Sequence, residues 1–270
     1  MRMVSAIALL LGCGHALHPE VPARSPDGIL AWAAKRTGPD PVQARLDLHL
    51  VSPAFSGGTN GILVADSPSQ THLAVLGLFG SPVFTATIDA RGLTVDLPPQ
   101  RRRLVAPDAA SVLAEVTGGA LAPADLTALL LGELPWAHLE PIRKRKLADG
   151  SVSATWEARA GLLVSVVLDT DTGCPRELSA TLADRTVFAA AWEPFALVTL
   201  NGQPWRVPSR VTLQSGDAEL SIRYRGWKIP DPVPPVFDNP PPEGVVVESL
   251  AEVGPGLGIS ALLGGMLSVP

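Results

Sequence analysis

The chain has 270 residues, 46% of them hydrophobic and only 17% charged, which excludes a disordered polar chain and leaves enough apolar surface for a sizeable core. A formal net charge of −5 argues against nucleic acid as a partner. With 27 prolines and 25 glycines, turns are frequent and long helices few.

In chain order, the first feature is Met1-Arg2 followed by an apolar run from Met3 to Leu11, interrupted only by Ser5. The run is far shorter than the roughly 20 residues a membrane-spanning helix needs. It has the form of a secretory h-region. Leu10-Leu11-Gly12-Cys13 then resembles the bacterial lipobox. That resemblance implies cleavage before Cys13 and acylation of its thiol, so residues 1–12 are expected to be a lipoprotein signal peptide. A plain signal peptide with an incidental cysteine is the alternative. Each buried acyl methylene contributes about 0.8 kcal/mol, and more than one chain makes a stable anchor. Gly14 stands where, in enterobacterial lipoproteins, an Asp favours retention in the inner membrane, so it leans towards the outer membrane. Residues 13–26, with Pro19, Pro22 and Pro26, read as a tether. Cys174 is the only other cysteine. With Cys13 acylated no intramolecular disulfide can form, and Cys174, in the turn Thr172-Gly173-Cys174-Pro175, reads as a structural thiol.

The body, residues 27–229, begins with a short helix from Ile29 to Arg36, capped by Asp27 and ended by Gly38-Pro39. Period-two alternation follows. Leu46, Leu48 and Leu50 make the first strand, Gly57-Gly58 a turn, and Ile62 and Val64 the second strand. Leu73 and Val75 make a third, Phe84, Ala86 and Ile88 a fourth, and Leu93, Val95 and Leu97 a fifth, with Asp89-Ala90-Arg91-Gly92 as a hairpin turn. Asp108 opens a helix from Ala109 to Val116, stopped by Gly118-Gly119. A further helix, Ala124 to Leu131, has Pro123 at its start, Gly132 at its end, and Leu126, Leu129 and Leu130 on one face. Strands resume at about 139–147, 151–159, 162–169, 176–183, 186–193, 205–214 and 218–227. This order predicts an α+β fold: a curved antiparallel sheet, an incomplete β-barrel, with a few helices covering its concave face. Residues 230–270 form a separate Pro-rich segment and apolar tail, with Phe237 as its docking residue.

One stretch carries a family resemblance. Leu76-Gly77-Leu78-Phe79-Gly80-Ser81, a hairpin, the Asp108 helix, and then Leu129-Leu130-Leu131-Gly132-Glu133-Leu134-Pro135 follow one another within residues 76–136. This resembles the LolB family, outer-membrane lipoproteins that receive other lipoproteins from the periplasmic carrier LolA. The resemblance implies an open barrel wrapped round an apolar cavity with helices as a lid. It implies acyl chains of other lipoproteins, a LolA-like carrier and the outer membrane as partners, and no cofactor. It also implies an exposed apolar residue on a protruding membrane-insertion loop. Leu78 and Phe79 match that position, Phe79 replacing the family's Leu. The alternative is that Leu78-Phe79 folds under the sheet as a core plug. Leu48, Ile62, Leu73, Val75, Phe84, Ile88, Val95, Leu126, Leu129 and Leu130 are the candidates to line the cavity. An ordinary filled core is the alternative to a hollow.

The remaining chemistry is sparse. His15, His18, His49, His72 and His138 are scattered without zinc-ligand spacing. Asp169-Thr170-Asp171-Thr172-Gly173 starts like a calcium loop, but position twelve is Ala180, so a hairpin turn is expected. No nucleophile elbow or phosphate loop is present, which points away from an enzyme. Two basic clusters, Arg101-Arg102-Arg103 and Arg143-Lys144-Arg145-Lys146, read as solvated strands or strand ends that can meet anionic headgroups or an acidic carrier. The expected function is a lipid-anchored acceptor of lipoprotein acyl chains. The rivals are a binding or sensing module of the same fold, acting in envelope assembly or stress signalling, and an envelope hydrolase.

Overall fold

The computed structural model describes residues 25–250 apart from 54, 67, 68, 137 and 239; Cys13, the expected signal peptide over 1–12 and the tail from 251 lie outside the described residues. Helix α1 (Pro26–Ala34) opens the described chain. Its N-cap is Ser25, whose hydroxyl accepts from the Gly28 N–H at 3.1 Å, so Asp27 sits in the first turn instead of capping it.

Five strands follow: β1 (Val42–Ser52), β2 (Phe55–Ala65), β3 (Thr71–Leu76), β4 (Pro82–Asp89) and β5 (Gly92–Leu97). Each pairs antiparallel with the next. The β1–β2 turn lies at Ser52–Phe55, not at Gly57-Gly58, which are paired strand positions opposite Leu50 and His49. A 3₁₀ turn (Pro98–Gln100) leads into β6 (Arg102–Ala106). Helices α2 (Ala109–Thr117) and α3 (Pro123–Leu131) come next. Asp108 caps α2 by accepting from Ala110 and Ser111 N–H groups, and Gly118 and Gly132 end the two helices in left-handed conformation.

The second half holds β7 (Arg143–Lys146), β8 (Val152–Arg159), β9 (Leu162–Leu168), β10 (Pro175–Leu182) and β11 (Arg185–Trp192). It continues with β12 (Phe195–Leu200), β13 (Gln203–Pro208), β14 (Arg210–Ser215), β15 (Ala218–Lys228) and β16 (Val246–Ser249). Where one strand was expected over 205–214, β13 and β14 are separate, and β12–β13 form a small hairpin sheet of their own. The other strands make one 14-stranded sheet in the order β16-β6-β5-β4-β3-β2-β1-β15-β14-β11-β10-β9-β8-β7. Its edges, β16 and β7, do not pair, so it is an incomplete barrel. The β7 edge is Arg143-Lys144-Arg145-Lys146, and a row of cations discourages another chain from adding to it.

Strand alternation separates two faces. Leu63, Leu73, Ala86, Val95 and Leu104 form one inward cross-strand row, and Leu48, Ile222, Val211 and Trp192 another. These residues belong to one apolar core cluster with Ile29 of α1 and Leu129 of α3. Leu162, Val164, Val166 and Leu168 of β9 are all fully buried on the same inner face.

The chain beyond β15 crosses the opposite face. Lys228 pairs with Gln43 at one end of the sheet, whereas Val246 pairs with Arg102 at the other. Between them the Arg91 guanidinium, in the β4–β5 turn, donates to the Phe237 carbonyl. Pro242 and Val245 share a groove with Thr85, Asp96 and Arg103, which point outward. The Pro-rich segment is thus a strap across the outer face, and β16 at its end adds a parallel strand to β6.

Candidate functional site

The inner face is occupied. Residues 120–136, with α3 at their centre, lie in the curve of the sheet and fasten to both of its halves. On one side Thr127 Oγ1 is 2.6 Å from Thr71 Oγ1 of β3. On the other, Trp192 Nε1 of β11 donates to the Leu129 carbonyl at 3.0 Å, and the Tyr224 hydroxyl of β15 donates to the Leu130 carbonyl. Burial pushes the Tyr224 phenol above its ordinary range, so it stays a donor. Asp125 caps α3 through the Ala122 N–H at 3.0 Å and also accepts from the Trp136 N–H at 3.2 Å, tying the helix start to the segment after it. Trp136 and Trp156 meet at 6.4 Å between ring centroids.

Most residues expected to line a hollow are here, but they touch one another. Leu48, Val75, Phe84, Val95, Leu129 and Leu130 are buried in the main core cluster, with Leu73 and Leu126 partly buried against it. Ile88 joins Ala109 and Leu113 of α2 in a satellite cluster. Ile62 corrects the sequence reading. It pairs with Arg45 and Ala74, in the outward row that ends at Asp96 and Arg103, and Gly61 and Leu63 face inward instead. Two grooves lined by described residues both open on the outer face: one of about 360 Å³ over β9, β10, β11 and β14, and one of about 180 Å³ beside Arg101 and Pro242.

The β3–β4 loop has a different character. Gly77 N–H donates to the Ser81 carbonyl and Gly80 N–H to the Gly77 carbonyl, both at 2.9 Å, with Gly80 at φ 76°. The loop is therefore a closed turn. At its tip Leu78 is 100% and Phe79 98% exposed, so neither plugs the core. Single exposed apolar residues are common, but two adjacent large ones with no protein contact gain nothing in water.

Several functional-looking groups have structural partners. Cys174 is buried, and burial pushes its thiol up despite the Arg36 guanidinium 2.9 Å from Sγ. Asp169 Oδ1 accepts from the Asp171 and Thr172 N–H groups at 3.0 and 2.8 Å, closing the expected turn. Burial likewise raises Glu133, which follows α3 and accepts from the Gly38 N–H. His72 of β3 bonds Thr87 at 2.8 Å on the outer face, where burial lowers it to about 4. Sequence reasoning missed the fasteners Thr71, Trp192 and Tyr224. Their signal was a polar group at an inward strand position, which must find a partner when buried.

No family profile matches the chain, and no curated protein sequence matches it. Solved structures do. A LolA superfamily protein from Nitrosomonas europaea is 14% identical with a TM-score of 0.52, the match covering 78% of this chain and 97% of that one. A DUF1329 family protein from Desulfovibrio piger is 8% identical with a TM-score of 0.54, over 81% of this chain and 97% of that one. At such identities the likeness is one of fold. The chain has the LolA-type architecture, a large curved antiparallel sheet with helices against its concave face.

Proposed function

We propose that this chain is a lipid-anchored, non-enzymatic protein of the bacterial cell envelope, held at the periplasmic side of the outer membrane through Cys13. It takes acyl chains of other lipoproteins, handed on by a LolA-like periplasmic carrier, against its apolar interior and helps deliver them to the outer membrane. The observation that carries this reading is the turn that holds Leu78 and Phe79 fully exposed on a LolA-type half-barrel. An apolar tip on a closed turn is suited to entering a bilayer, where its burial becomes favourable. Because the interior is filled, acyl chains enter by displacing α2 and α3 from the sheet, with Phe84, Val95 and Leu129 among the surfaces uncovered. Transfer needs no energy source if each successive site binds the chains more tightly.

Two experiments test it. A photo-crosslinker at Phe84 or Leu129 should recover acylated lipoprotein. Phe79→Glu should keep the fold and the crosslink but lose delivery to outer-membrane vesicles. Retention of delivery by Phe79→Glu would remove the proposed role of the turn.

A second reading is a binding or sensing module of the same fold. The inner face favours it, since among the described residues α3 is fastened across it and the buried side chains pack into one core cluster. Recovery of a signalling protein alone at those crosslink positions would select it over transfer.

A further inference from the structure

We infer that Arg101 is a phospholipid-headgroup contact, and that the chain docks on an anionic bilayer with Arg101 at the phosphates and the Leu78–Phe79 turn beneath them. This rests on the reading of that turn given above and adds the lipid class it selects.

The fold treats the three adjacent arginines, Arg101, Arg102 and Arg103, differently. Arg103 points outward from β6 but is buried, its Nη2 2.9 Å from Asp96 Oδ2. Arg102 is ion-paired with Glu248 of β16. Arg101 precedes the strand. Its backbone is left-handed at φ 51°, its N–H donates to the Pro98 carbonyl at 3.1 Å, and its side chain is exposed. It takes part in none of the ion pairs among the described residues. Asp96 and Glu248, on the strands paired with β6, are already engaged. Asp108, the exposed acid closest along the chain, caps α2. Glu243 of the strap is exposed and directly follows Pro242 of the groove that Arg101 lines.

The position of Arg101 is what matters. It lines a groove of about 180 Å³ together with Pro82, Pro98 and Pro242. Pro82 directly follows Ser81, the closing residue of the apolar turn, so the free cation stands at the foot of the exposed tip. Hydrocarbon-seeking side chains at the tip with a cation behind them match the order of layers in an anionic monolayer. An acidic protein would give Arg101 a partner but would give Leu78 and Phe79 nothing to enter.

The test uses the mature chain, residues 13–270, carrying Cys13→Ala, so that neither the apolar leader nor covalent lipid holds it, co-sedimented with phosphatidylcholine vesicles with and without phosphatidylglycerol. Arg101→Gln should weaken binding to the anionic vesicles about fivefold, the effect of roughly one basic residue at such a surface. It should also reduce the salt dependence and leave binding to pure phosphatidylcholine unchanged. Arg101→Lys should retain most of the affinity. Phe79→Glu should lose binding to both vesicle types. If Arg101→Gln binds anionic vesicles like the starting chain while Phe79→Glu fails, the headgroup assignment is overturned and the reading of the turn stands. An equal loss on both vesicle types by Arg101→Gln also overturns it, since that marks a structural effect. Undiminished binding by Phe79→Glu, or no binding by the starting chain, overturns both.

Discussion

His72 shows how much one buried side chain can set. It stands on the outer face in a cross-strand row with Val64 and Thr87, all three buried, and its ring bonds Thr87 Oγ1. Burial holds its folded value at about 4, against the pull of nearby Asp96, whereas an unfolded histidine titrates near 6.5. The neutral ring therefore favours the folded state fully above about pH 6.5. That contribution is lost as pH falls from there to about 4, because the unfolded chain takes up the proton first. The full effect is on the order of 3 kcal/mol. His72→Gln should flatten the pH dependence of thermal unfolding across that window, read by the midpoint at several pH values. At this scale the sequence was legible where alternation was strict: Leu73, Val75, Phe84 and Val95 all point inward, as expected. It failed at Ile62 because Gly61-Ile62-Leu63-Val64-Ala65 is apolar at every position after the glycine, and a slip of one residue turns every side chain to the other face. Only the pairing of Leu46 with Gly61 settles the register.

Among the elements, α3 has the clearest sequence cause. Pro123 starts it, Asp125 caps it, and Gly132 ends it at φ 72°, a conformation an L side chain adopts only with strain. A Cβ on Gly132 would lie 2.5 Å from the Phe195 ring, which is itself stacked under Arg36 at 5.5 Å. Gly132→Ala should destabilise the protein by more than about 2 kcal/mol in chemical denaturation, from strain and clash together. Gly150→Ala, at φ 87° but in open space, should lose less, which separates the two causes. Helix ends were readable because caps are local chemistry: Asp108, Gly118 and Gly132 need no tertiary partner to do their work. Hairpin β12–β13 was not readable as two strands. Phe195-Ala196-Leu197-Val198-Thr199-Leu200 is apolar at every position but Thr199, so it shows no alternation to mark a strand, and in the structure Ala196, Leu197 and Thr199 are exposed. The β1–β2 turn was misplaced because glycine marks turns only statistically, and here Gly57 is a strand residue beneath the Phe55 ring.

Over the whole molecule, the strap decides what the sheet presents to its surroundings. Val64 and Ala74 are apolar and buried although they face outward, and Arg103 is a buried charge on the same side. Composition gave the strap's extended Pro-rich character, but its path depends on contacts distant in sequence, Arg91 with Phe237 and Arg102 with Glu248. A chain ending after Ile229 should expose this face and the β6 edge. The expected loss of about 2 kcal/mol corresponds to a midpoint lower by about 4–8 °C, with increased binding of an apolar dye. An unchanged midpoint would show that the strap is merely draped over the sheet.

The bonds from Thr127, Leu129 and Leu130 to three different strands have a kinetic meaning. Under the proposed function, a fatty guest arriving at the concave side would meet a latch bolted at three points, and the bolts would have to open together before the guest gained any contact. Loading should then proceed at the pace of rare spontaneous unlatching, steeply faster on warming and indifferent to guest concentration once that is high. Thr127→Val, which draws one bolt, should speed it.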